Sequence, residues 1–215
     1  MIIFNKEMPK EIEEIYYKIK DEIRSLNLIM ISTHKKCSAE QSSDNTYKIY
    51  LNIDLPEDYF WEVLLHEHIH ILQYKNGYRD LISTDSITGV LNNVIMDIDV
   101  HYRLKNDYHF VYSSNYGEES AIKGIQKHLE MCSGSDAKYH LQIVVMSVLY
   151  LTLVYNKEKG DIIVESLSSV NDKFKELYES FYSLIVNNLE TNSDSISYVL
   201  REGAKIFEIS NYRLQ

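Results

Sequence analysis

The sequence predicts an α+β fold that is mostly helical: a small β-hairpin or sheet, a helix carrying a His-Glu-x-x-His motif, and a carboxy-terminal helical layer. Three observations carry this expectation. Seven glycines and two prolines in 215 residues disfavour a turn-rich sandwich or propeller and favour long helices. Strand-like patterning is confined to residues 28–53. Beyond Tyr116, roughly the last 100 residues repeat their apolar positions at helical spacing.

Taken in order, the first element follows Pro9, where Ile12, Ile15, Ile19, Ile23 and Leu26 recur with Lys and Glu between them. Leu28–Thr33 is a short apolar run, and Thr46–Ile53 alternates Tyr47, Ile49, Leu51 and Ile53 against polar neighbours. The polar segment HKKCSAEQSSDN between them is expected to be the long loop of a hairpin. Pro56 and the acids after it start a helix that stops at Gly77. Further helices are expected over Ser86–Lys105, Glu118–Cys132, Ala137–Asn156, Ile162–Leu189 and Ser193–Ile209. Asp136, Asp161 and Asp194 lie near three of the starts, where an acid caps or complements the helix dipole. There is no internal repeat or low-complexity tract. A single domain over residues 1–215 is expected, with a core over 1–115 and a helical extension over 116–215.

A hydrophobic fraction of 45% with 25% charged residues excludes wholesale disorder. The net charge of -10 repels a phosphate backbone, so nucleic acid is not an expected partner. Two cysteines, Cys37 and Cys132, make no disulfide framework and suit a reducing compartment. The amino terminus becomes charged too early for a secretory signal, and a cytoplasmic location is the default expectation. Leu141–Tyr155 is uncharged but shorter than the roughly 20 residues a bilayer needs. It reads as the buried helix of a bundle, and no membrane partner is expected.

The chemistry-bearing motif is His66-Glu67-His68-Ile69-His70. On a helix His66 and His70 share a face and can hold one cation through two imidazole nitrogens. Glu67 lies about 100° round, beside a metal rather than on it. There a carboxylate takes a proton from water acidified by the cation. His68 points about 200° away and reads as packing or surface.

Zinc needs a third ligand, and Tyr74, Lys75, Asn76 and Gly77 after the motif supply none. The Ser86–Lys105 helix offers Asp97, Asp99 and His101. Val90, Val94, His101 and Leu104 lie within about 60° of Asp97 on a helical projection, placing Asp97 at the border of the apolar arc. Asp99 falls near 200° with Arg103 one turn on, the expected wet face. Asp97 is the expected third ligand; Asp99, Glu118 and Glu119 are the alternatives. His101 is expected to orient a ligand or to donate to the transition state, or else to be a partly buried helix histidine. Tyr102, Tyr108, Tyr112 and Tyr116 are further donors among which the sequence does not choose.

These residues resemble the zincin-like metallopeptidases of gluzincin type, and within them the chain looks most like the ImmA/IrrE-like family. That family pairs a His-Glu-x-x-His helix with an acidic ligand on a second helix, in a stretch of the form Glu-x-x-Ala-Asn. Asp97-Ile98-Asp99-Val100-His101 occupies that place here, with Asp for Glu, Val for Ala and His101 for Asn. The resemblance covers residues 28–110 and implies zinc (Zn²⁺) and peptide-bond hydrolysis with Glu67 as general base. A protein or peptide is the implied substrate. The competing reading is a non-catalytic, metal-containing interaction module, in which Cys37 or His34 closes a fourth metal position. A purely helical interaction protein without metal is the third.

Overall fold

The computed structural model describes residues 1–42, 46–112 and 114–215. The fold is α+β and mostly helical. The strands are β1 (Ile2–Ile3), β2 (Lys6–Glu7), β3 (Asn27–Thr33), β4 (Ser38–Gln41), β5 (Thr46–Asn52), β6 (Leu81–Ile82) and β7 (Arg213–Leu214). The helices are α1 (Lys10–Glu22), α2 (Glu57–Lys75), α3 (Ile87–Asn106), α4 (Tyr116–Met131), α5 (Ala137–Tyr150), α6 (Lys157–Ser168), α7 (Asp172–Asn188) and α8 (Ser193–Ile206). The chain divides into two compact units, Met1–Gly77 with Val100–Tyr116, and Tyr78–Asp99 with Gly117–Gln215.

In the first unit a three-stranded sheet runs in the order β3-β5-β4. The expected hairpin of residues 28–53 is corrected here. β3 and β5 pair in parallel, Met30 opposite Ile49, while β4, drawn from the presumed loop, pairs antiparallel with β5. Ser43, Asp44 and Asn45 of that loop lie outside the described residues. A parallel pair needs a crossover rather than a tight turn, and the polar stretch supplies one while forming the third strand. Tyr47, Ile49 and Leu51 of β5 turn inward, and α2 packs on β4, β5 and α1. Pro56 precedes α2, whose first turn carries Glu57 and Asp58. Gly77 ends it at φ 78°, a left-handed conformation that glycine adopts without a Cβ penalty.

The second unit is a helical layer around α5, whose Val144, Val145, Met146, Val148 and Leu149 are wholly inaccessible. A π turn over Leu151–Tyr155 continues α5. Ala137–Tyr155 is then a 19-residue stretch, long and apolar enough to cross a membrane on length and composition, and half buried within the fold. The expected helix over Ile162–Leu189 is two helices, α6 and α7, broken before Asn171. Asn156, Asn171 and Asn192 accept from backbone amides at the starts of α6, α7 and α8. These asparagines do the capping, while of the aspartates expected to cap or charge the starts, Asp194 lies in the first turn of α8, where it complements the helix dipole, and Asp136 at the start of α5 makes no side-chain cap bond.

Candidate metal centre

The middle of α2 is buried along most of its circumference: Leu64, Leu65, Ile69 and Ile71 are inaccessible. A helix so enclosed holds its polar side chains in fixed rotamers, and the two histidines one turn apart exploit this. His66 Nε2 and His70 Nε2 stand 2.9 Å apart. Two imidazole nitrogens bound to one cation at about 2.0–2.1 Å are separated by roughly 2.9–3.4 Å, from right-angle to tetrahedral geometry. The carboxylate of Asp97 on α3 completes the group, the three ligand atoms lying within 4.8 Å of one another. All three side chains are partly exposed, so the cluster can hold a metal ion that solvent also reaches.

Gln73 stands at the second ring nitrogen of His70. His70 Nδ1 lies 2.8 Å from Gln73 Oε1, and Gln73 is fully buried. An Nδ1–H donating to that oxygen leaves the Nε2 lone pair for a cation, the usual second hydrogen bond of a metal-binding histidine. Nothing in the motif marks Gln73, although its place three residues after His70 puts it on the same face.

Glu67, next to His66, is 7% exposed. Its charge reaches Cys37: burial pushes the Cys37 thiol up, the Asn52 amide opposes this, and the Glu67 carboxylate adds to the rise. Cys37 Sγ accepts from the Asn52 N–H at 3.1 Å, and exposed His34 pairs with Asp54 at 2.9 Å. Neither belongs to the cluster formed among the described residues. His68 faces the other way, into the core. Its ring is fully buried, meets Tyr16 edge-on at 5.1 Å and bonds the Leu64 carbonyl at 2.7 Å through Nδ1. Burial lowers its pKa to about 4, so it is a neutral core histidine.

His101 is buried at 8% exposure, its ring 5.3 Å from that of His66 and 4.7 Å from that of Tyr112. Of the four tyrosines considered, Tyr112 is therefore the one against His101. Tyr108 donates to Glu22 at 2.6 Å, Tyr116 packs on Tyr59 at 4.8 Å, and Tyr102 is exposed. Glu62, one turn before His66, is buried and accepts the Ser114 N–H at 2.9 Å. It anchors the segment that carries Tyr112, a role that was not foreseen.

The wet face expected for Asp99 and Arg103 does not exist: both are buried, at 1% and 8% exposure. The helical projection saw only the α3 sequence and not what packs over it. Glu118 is held by Lys159 and by Asn156, and the Lys159 bond holds its carboxyl below the usual range. It serves the α4–α6 contact rather than a metal. No family model, no curated protein and no solved structure matches this chain.

Proposed function

We propose that the chain is a zinc-dependent metallopeptidase of the zincin type, hydrolysing a protein or peptide at His66, His70 and Asp97. The observation that carries this reading is the convergence of two imidazole Nε2 atoms and one carboxylate, with a buried Glu adjacent in sequence to His66. His66, His70 and Asp97 would hold the cation, and two imidazoles with a carboxylate are a donor set that suits zinc. When bound, the cation lowers the pKa of water and polarises a carbonyl.

The chain's residues supply the rest. Glu67, held in a largely dry place, accepts the proton of the attacking water and returns it to the leaving amine. His101, seated against His66 and Tyr112, fixes the His66 ring and donates toward the carbonyl oxygen as charge develops there. Gln73 keeps His70 in the tautomer that binds. The His-Glu-x-x-His helix and the Asp97 stretch resemble the ImmA/IrrE-like family, whose usual role is to cut a repressor or similar regulatory protein, and that resemblance alone suggests such a substrate. Digestion of a proteome-derived peptide library, with new termini read by mass spectrometry, tests the proposal. New termini that vanish on chelation and return with Zn²⁺ are the expected result; identical digests with and without chelator overturn it.

A further inference from the structure

A second pair of histidines lies far from His66 in sequence, where α4 gives way to α5. His128 is in the last turn of α4, His140 in the first turn of α5, and their Nδ1 atoms stand 2.9 Å apart. The rings are tilted by 41°, with centroids 5.1 Å apart, and both side chains are partly exposed. We propose that this pair is a second transition-metal site, in which one divalent cation of the zinc, nickel or copper class is held by His128 Nδ1 and His140 Nδ1 with water completing the shell.

The geometry asks for little movement. Nitrogens sharing a cation at about 2.0–2.1 Å stand roughly 2.9–3.4 Å apart, so the two lone pairs already converge on one point. Without a cation one ring must donate to the other, because two lone pairs at that distance repel. Cys132, one turn after His128, is not assigned as a ligand. Its thiol donates to the His128 carbonyl at 3.3 Å, and burial pushes its pKa up. A cation here ties the end of α4 to the start of α5 across the connection 132–136, as a clip on the hairpin rather than a catalytic centre.

The pair is independent of the proposed peptidase site, and equilibrium dialysis against Zn²⁺ at neutral pH separates the two. The wild type is expected to hold about two Zn²⁺ per chain, His66→Ala about one, and His128→Ala or His140→Ala about one. Circular dichroism establishes that each variant is folded, and Cys132→Ser should retain the wild-type content. Both second-site variants binding as much Zn²⁺ as the wild type would overturn the proposal, as would loss of one equivalent on Cys132→Ser. A wild type that loses all its Zn²⁺ with His66→Ala would do the same.

Discussion

His70 Nδ1 lies 2.8 Å from Gln73 Oε1, and in the proposed site that contact leaves Nε2 for a cation, a dependence that can be measured. Gln73→Leu keeps a buried side chain of similar size and removes the acceptor, so Zn²⁺ affinity should fall about 10–100-fold in a competition titration with a chromophoric chelator; unchanged affinity would remove Gln73 from the site. The two aspartates of α3 separate in the same way. Asp97→Ala should lose the one Zn²⁺ equivalent assigned to His66 and His70 with little loss of fold. Asp99→Ala, which opens a buried polar position, should retain Zn²⁺ and lower the unfolding free energy by about 1–3 kcal/mol, read from urea denaturation. The motif itself was legible because spacing on one helix fixes which side chains share a face. The environment of Asp99 was not, because its burial comes from other elements. His68 shows the same limit and gives a pH signature. Its pKa falls from 6.5 unfolded to about 4 folded, so the unfolded chain binds the extra proton. The contribution is fully present above pH 6.5 and is lost as pH falls through about 4, to the extent of about 3 kcal/mol. Urea midpoints at several pH values between these limits should fall less steeply in His68→Phe than in the wild type. Parallel curves would show that His68 already titrates normally.

Between residues and whole, the elements divide into those set by local chemistry and those set by partners. α2 was legible because Pro56, the acidic first turn and Gly77 are all local signals. The break between α6 and α7 was equally local, since Asn171 accepts from the Phe174 amide at 2.9 Å, but continuous apolar spacing over residues 162–189 concealed it. The pairing of β3 with β5 could not be read from either strand, because alternation identifies a strand and not its neighbour. The π turn after α5 depends on another tertiary fit. A Cβ at Gly160 of α6 would lie 2.9 Å from Thr152 Cα, a backbone atom with little room to yield. Gly160→Ala should therefore destabilise the chain by about 1–3 kcal/mol despite the better helix propensity of alanine. A thermal midpoint at or above the wild type's would show that α6 and the π turn separate freely.

At the scale of the whole molecule, the α+β class was legible from glycine and proline scarcity together with strand patterning confined to residues 28–53, and the helical second unit from its apolar spacing. The assignment of Tyr78–Asp99 to that unit was not, since nothing in the sequence of α3 marks a boundary within a continuous helix. Metal that binds only the folded chain adds stability by mass action, about 2.7 kcal/mol at a free concentration a hundredfold above Kd, so chelation should lower the thermal midpoint of the wild type and leave that of His66→Ala/His70→Ala less changed. In the proposed site His66, His70 and Asp97 would hold the cation and Glu67 would move the proton. Paired assays of zinc content and peptide-library cleavage on wild type and Glu67→Gln test this division of roles most directly. The account predicts equal zinc in both proteins, cleavage by the wild type, and cleavage lowered at least about 100-fold in the variant. Zinc-loaded Glu67→Gln that cleaves like the wild type, or a zinc-loaded wild type that cleaves nothing, would contradict it.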